Sequence, residues 1–290
     1  MGRKKVAKTK IPVVLWVATA IFSVYAFTLV YPYVWMFINT FKNNGEYLDN
    51  SFSLPPETWR IDNYVKAFTT LKVTGSKTML PGMFLNSLIF SLAGSIIGIV
   101  LSSLCAYVVA KYKFMGRELI YSIAIFTMII PIVGSLPAQY QLISKLNLKN
   151  NLLGIAIIYG SPIGYNFLML YGAFKSISWE YAESAMIDGC SKFRIYLQIM
   201  MPLVAPLIMS LFVIQFIGVW NDYQTPMLYL KKQPTLSYGL YMFEQNMQYR
   251  GANWPIYFAA VIMALLPIIA IFIAFQNVLM ENTVAGGLKG

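Results

Sequence analysis

Eleven carboxylates, two cysteines and no histidine are nearly all that this 290-residue chain offers to acid–base, thiol or metal chemistry. Without histidine there is no His-based triad, zinc site or imidazole proton shuttle. No glycine-rich loop ends in Gly-Lys-Ser or Gly-Lys-Thr, so the chain carries no P-loop of its own for ATP. Cys105 and Cys190 are remote from each other in sequence and indicate neither a disulfide nor a metal site. Glu180 and Glu183 are a close pair of acids, the minimum an enzyme acting on a lipid-linked sugar would need. Asp222 is the remaining candidate, in the run Trp220-Asn221-Asp222-Tyr223. An aromatic plane beside a carboxamide and a carboxylate could stack on a sugar ring and hydrogen-bond its hydroxyls. The same four residues at a helix end also fit an interfacial belt, with Asp222 facing water.

These residues sit in a chain built for a bilayer. Hydrophobic residues make up 58% of it and charged residues 11%. Charge is absent from Ile11–Phe41, Thr78–Ala110, Leu119–Ser144, Asn150–Phe174, Ile195–Asn221 and Gly251–Met280. Each run exceeds the roughly 20 residues a helix needs to cross about 30 Å of hydrocarbon, which predicts six transmembrane helices. Pro131, Pro137, Pro162, Pro202, Pro206 and Pro267 predict kinks or breaks inside them. Asp222 falls at the end of the fifth run, and no acid lies near the middle of any. That argues against a proton- or sodium-coupled carrier. Ile11 opens an apolar run too long for the core of a cleaved signal peptide, so it reads as the first span.

A polar island, 175–202, separates the fourth and fifth runs. Ser178 can cap a short helix whose first turns hold Glu180 and Glu183, where the helix dipole favours acids. Gly189 can take the left-handed conformation that ends it, and Ser191 can cap a second helix running towards Pro202. Ala182, Ala185 and Gly189 fall at helical spacing, so one face is nearly flat and open to close approach by another protein.

Orientation follows from lysine and arginine near the ends of the runs. Arg3, Lys4, Lys5, Lys8 and Lys10 crowd the first ten residues, Lys111, Lys113 and Arg117 follow the second run, and Lys175, Lys192 and Arg194 flank the island. These segments are expected inside, with both termini, and 42–77, 145–149 and 226–250 outside. The formal net charge of +11 then reflects anchoring to anionic headgroups and calls for no nucleic acid.

The island resembles the Glu-Ala-Ala loop of binding-protein-dependent ABC importer permeases. Glu183, Ala185, Gly189, Ile199 and Pro202 match that pattern at its spacing, while Ser184 and Met201 depart from it with little change in size or polarity. Tyr31-Pro-Tyr-Val-Trp-Met, Asn86-Ser, Met128-Ile-Ile-Pro131, Trp220-Asn-Asp-Tyr223 and the tail from Thr283 to Gly290 extend the likeness to maltose-type sugar permeases, the smaller of their two permease subunits. The resemblance implies an all-α integral membrane protein: a six-helix type I permease domain over 11–280, a cytoplasmic segment 1–10 and a cytoplasmic tail 281–290. It implies that Glu183, Ser184, Ala185, Asp188 and Gly189 couple the chain to an ATPase, and that Trp220, Asn221, Asp222 and Tyr223 border the substrate path. It also implies partners: a second, non-identical permease, two ATPase subunits that hold ATP and magnesium, and an extracytoplasmic sugar-binding protein. An importer of polyamines, amino acids or phosphate shares the same loop and stays open as an alternative, as does the membrane enzyme.

Overall fold

The computed structural model describes residues 12–54, 56–130, 134–250 and 253–287, with backbone alone at 248–250, 278 and 280–287. The basic cluster at 3–10, Pro131 and the last residues of the tail lie outside the described residues. Every regular element described is helical, apart from one isolated antiparallel bridge between Lys72 and Met79.

A 32-residue helix, Leu80–Lys111, is the axis of the molecule. Pro81 starts it where a missing N–H costs nothing. At about 1.5 Å per residue it is about 48 Å long, enough to cross a membrane and project beyond it. Its buried positions are mostly small: Ser87, Ser91, Gly94, Ser95, Gly98, Ser102, Ser103 and Ala106. Small residues let neighbouring backbones come close where there is no water to drive packing. A methyl group at Gly98 would collide with the Gln215 carboxamide and the Tyr159 carbonyl, and one at Gly94 would lie 2.9 Å from the Tyr159 ring. Around this axis pack Tyr165–Ser176, Ala205–Asn221 and Leu152–Ala156.

Among the described residues three helices are long and apolar enough to cross a bilayer unbroken: Val13–Asn39, Leu80–Lys111 and Trp254–Asn277, the last being part of Trp254–Gly287. Pro32 and Pro267 sit inside two of them without ending them. The fifth apolar run crosses as a bent pair, Lys192–Leu203 and Ala205–Asn221, which meet at 80°. A π-helical turn at Tyr196–Met200 and the flanking Pro202 and Pro206 account for the bend, because each removes or shifts a backbone hydrogen bond.

The third and fourth runs are each interrupted, in line with the kinks or breaks that their prolines predicted. Arg117–Ile129 and Ser135–Lys145 are separate helices, with Gly134 at φ +86° before the second. Leu152–Ala156 passes into a single 3-10 turn, and the backbone is then irregular over 160–164 before Tyr165–Ser176. Pro162 lies in that break, and Gly164, at φ +144°, adopts backbone that a side chain would resist. Irregular backbone at such a depth is tolerated only where it is buried in protein or faces a polar cavity.

The first helix stands nearly alone. None of its most apolar stretch is buried, and Val13, Phe22 and Phe27 are each exposed by two thirds or more. It touches the rest of the chain chiefly at its far end, where Trp35 packs edge-on against Phe258 at 5.7 Å. The following segment is fastened by a buried Lys42, whose ammonium donates to the carbonyls of Asn50 and Ser51 and to Ser53 Oγ.

Candidate functional site

Two sites lie along the central helix, one at its end and one at its middle. The island is at the end. The helix Glu180–Ile187 begins where Ser178 Oγ accepts from the Glu180 amide, and it closes at Gly189, φ +80°. The Gly189 amide donates to the Met186 carbonyl at 3.0 Å and the Cys190 amide to the Ala185 carbonyl at 2.9 Å. This pair of crossed bonds satisfies carbonyls that the helix end would leave free, and it requires a left-handed residue between them. Ser191 Oγ then accepts from the Arg194 amide and opens the second helix. The predicted helix, glycine stop and second cap are all present.

The flat face does not do what its spacing suggested. Ala182 is fully buried and Ala185 nearly so, both packed with Tyr107, Phe174 and Tyr196 of this same chain. Small side chains are needed there because the island helix lies directly on the protein's own aromatic core. Outward it presents Glu180, Tyr181, Glu183, Ser184, Ile187, Asp188 and Gly189, all exposed. Beside them is a cleft of about 490 Å³ bordered by Ser178, Tyr181, Ser184, Asp188 and Ile199.

The island is also wired to the central helix. Tyr196 OH donates to Ser103 Oγ at 2.9 Å inside the core, Trp179 packs edge-on against Tyr112 at 5.6 Å, and the Lys111 ammonium donates to the Ile177 carbonyl. These contacts join the island to the Leu80–Lys111 helix, and Tyr196–Met200 continues it into the bent helix.

The second site is a cleft of about 370 Å³ midway along the central helix. Ser102, Tyr159, Ser161, Asn166 and Gln215 supply its polar groups, and Gly164 and Gly218 keep it open. The Asn166 carboxamide donates to Gln215 Oε1, and Gln215 Nε2 donates to the Gly94 carbonyl at 3.2 Å. Ser102 Oγ donates to the Ser161 carbonyl at 2.9 Å, satisfying backbone freed by the break at 160–164. The lining thus sets a few hydroxyls and carboxamides, already bonded to protein, among Ile163, Ile214 and Val219, with no charged side chain.

None of the outer cluster, Trp220 to Tyr223, lines this cleft. Trp220 is buried, stacked on Phe216 at 5.8 Å and edge-on to Phe84 at 5.6 Å, so its faces are already taken by protein. Asn221 is exposed, with its Nδ2 donating to the Ile217 carbonyl of its own helix. Tyr223 stacks on Tyr241 at 4.4 Å. Asp222 is a structural hub: Oδ1 accepts from the amides of Gln224 and Thr225, and Oδ2 accepts from Tyr159 OH at 2.5 Å and from the Thr225 hydroxyl. It caps the short helix Gln224–Tyr229 and pins Tyr159 at the cleft wall. The cleft's amides, Asn166 and Gln215, were invisible to a search for ionisable groups. Uncharged polar residues inside charge-free runs are the signal that points to them.

Residues 94–281 match the family of binding-protein-dependent transport system inner membrane components. The chain belongs to that family. It is 31% identical over 261 residues to a probable starch degradation products transport system permease of Thermoanaerobacterium thermosulfurigenes, covering 89% of this chain and 91% of the relative. It is 27% identical over 264 residues to a diacetylchitobiose uptake system permease of Streptomyces coelicolor, covering 90% of this chain and 84% of the relative. Its fold is similar, with a TM-score of 0.76, to the crystal structure of a bacterial ABC transporter involved in the import of the acidic polysaccharide alginate. That likeness covers 93% of this chain and 99% of the other at 21% identity, and it speaks for the type I permease fold alone. The all-helical architecture implied by the island's resemblance is thereby borne out.

Proposed function

We propose that this chain is a transmembrane permease subunit of an ATP-driven importer that moves a sugar or oligosaccharide across the cytoplasmic membrane. The observation that carries this is continuity: the island segment that holds an exposed, glycine-closed helix at one end of the molecule is bonded through Tyr196 to the central helix, which with Ala205–Asn221 borders an uncharged cleft at its middle. Relatives named for starch degradation products and diacetylchitobiose support a carbohydrate as the cargo. Hydroxyls and carboxamides in the cleft suit such a cargo better than they suit a polyamine, which would call for carboxylates.

In this reading the island, 175–202, lies in the cytoplasm with both termini, flanking a membrane domain that runs over 11–280. Glu183, Ser184, Ala185, Asp188 and Gly189 form the element on which a partner ATPase acts, with Ala185 serving from within by seating the helix. Two ATPase subunits hold ATP and magnesium; this chain holds neither and does no covalent chemistry. A second, non-identical permease covers the bare first helix and the open side of the cleft, and an extracytoplasmic binding protein delivers the sugar. ATP-driven closure of the ATPases pushes the island, and the bent and central helices rock to open the cleft outward.

The test is uptake into proteoliposomes that hold the complete complex. Labelled maltooligosaccharide and chitobiose should accumulate only when ATP is enclosed on the ATPase side and the binding protein is present on the other. Turnover of a sugar substrate by this chain purified without any ATPase would overturn the reading in favour of an enzyme.

A further inference from the structure

At the end of the central helix opposite the island, three turns from separate parts of the sequence meet. Ser76 Oγ, in the turn 71–79, donates to the Lys232 carbonyl at 3.2 Å, and the Lys232 amide donates to Asn150 Oδ1 at 2.8 Å. The Asn150 amide donates in turn to the Tyr229 carbonyl at 2.7 Å. These bonds gather Lys72, Lys77, Lys145, Lys149, Lys231 and Lys232 onto one surface, and the three turns 71–79, 144–151 and 230–236 contain no acid. All six are exposed or half-exposed, and among the described residues none is paired with a carboxylate. In a protein whose outer turns should be poor in lysine, this concentration of positive charge runs against the trend.

The surface is rigid and has an apolar centre. Asn147 and Asn150 hold left-handed backbone, φ +54° and +58°, in the turn between the first two lysines and the next helix. The Lys149 ammonium lies 3.8 Å from the centre of the Tyr140 ring, which stacks on Tyr229. Tyr140 is 42% exposed and Leu146 is 57% exposed. An aromatic and apolar centre with a charged rim is the anatomy of a protein interface. Anionic headgroups are usually met by mobile polybasic segments, whereas these turns are fixed by cross-bonds. The platform also lies next to the cleft. Asp222, which accepts from Tyr159 of the cleft wall, also accepts from the first amides of the helix Gln224–Tyr229, and Tyr229 at that helix's other end holds Asn150. That helix has six residues, about 9 Å.

We infer that this basic platform docks an acidic face of the extracytoplasmic binding protein and steers it onto the cleft. The inference rests on the importer reading and on its orientation, and it names what that reading leaves open: the charge character of the partner's docking face. Long-range attraction of this kind acts mainly on association and fades as salt shortens its range to about 10 Å and below.

The experiment uses the whole complex in nanodiscs of neutral lipid and the binding protein encoded with it. Association and dissociation rates are measured at about 50 and about 200 mM salt, spanning strong and weak screening. A Lys145→Gln/Lys231→Gln/Lys232→Gln variant should lower the association rate about tenfold or more at low salt, flatten its salt dependence and change dissociation little. Lys113→Gln, at the other end of the molecule, should leave all of these unchanged. Short poly-L-glutamate should compete with the binding protein for the wild-type complex and fail to do so for the triple variant. Equal rates and equal salt dependence in the two complexes would overturn the proposal. So would a triple variant that loses only co-purifying phosphatidylglycerol, which marks a lipid site, or only uptake of acidic sugars, which marks attraction of the cargo. A wild-type complex that never binds the binding protein would instead sink the importer reading itself.

Discussion

Replacing Gly189 separates two demands that its position makes. At φ +80° a side chain strains the backbone, yet nothing lies within 4 Å of where a Cβ would stand, so there is no internal clash. Alanine there should cost about 1–2 kcal/mol in the helix terminus, the usual left-handed penalty. Asparagine, which tolerates that conformation, should cost less. A loss of 1–2 kcal/mol corresponds to about a 5- to 30-fold drop in the population of the closed terminus relative to the frayed one. Fraying would release the Cys190 and Gly189 amides and loosen the seat of Ala185. If the ATPase needs only a well-closed helix, Gly189→Ala should depress ATP-driven uptake several-fold and Gly189→Asn should restore most of it. If it also needs bare surface over the hinge, both variants should fail, and Gly189→Asp should be worst. Uptake in proteoliposomes, with ATPase co-purification as the control for docking, distinguishes these. Wild-type uptake by all three variants would refute the assignment of the island as the coupling element.

Trp220→Ala should lower the yield and thermal midpoint of the purified complex, because removing a buried aromatic costs about 3–5 kcal/mol. Asn221→Ala should leave both assembly and uptake close to wild type; a tenfold loss of uptake would restore this cluster to the substrate path. Gly98→Ala should destabilise by about 1–3 kcal/mol through overpacking against Gln215 and Tyr159, whereas Gly172→Ala, with open space beside it, should be tolerated. Thermal melting in detergent compares the pair, and equal midpoints would show that the close approach at Gly98 is not needed. In a Cys190→Ser background, a cysteine at Thr74 should react with a membrane-impermeant thiol reagent on intact cells, and one at Ser178 only after the membrane is opened. The reverse pattern would place the island beyond reach of any ATPase.

The elements that a single stretch of sequence specifies were legible: the long apolar helices, the island with its caps and glycine stop, and the bend near Pro202 and Pro206. Pro131, Pro137 and Pro162 announced the interruptions of the third and fourth runs, while absence of charge measures apolarity and says nothing of how far each helix extends. Gly164, at φ +144°, carried no such signal in the sequence. Trp220 misled because a tryptophan at a helix end has the same local pattern whether it meets lipid, sugar or, as here, Phe84 and Phe216. The flat face of Ala182 and Ala185 was read as open to another protein, and the sequence could not say that it would instead be buried in one cluster with Tyr107 and Phe174. The cleft itself joins Asn166 to Gln215, 49 residues apart, and only the fold brings them together.

The 80° bend at Val204 turns the fifth apolar run into a crank. Its outer arm, Ala205–Asn221, has 17 residues and measures about 25 Å. Each ten degrees of swing about the bend would carry the tip, with Trp220 and Asp222, through about 4 Å by simple arc length. Gln215 lies about two thirds of the way out and would travel about 3 Å, enough to part it from Asn166 and from the Gly94 carbonyl. A modest angular input at the island end of the crank would thus be geared up into the distance by which Gln215 parts from its partners.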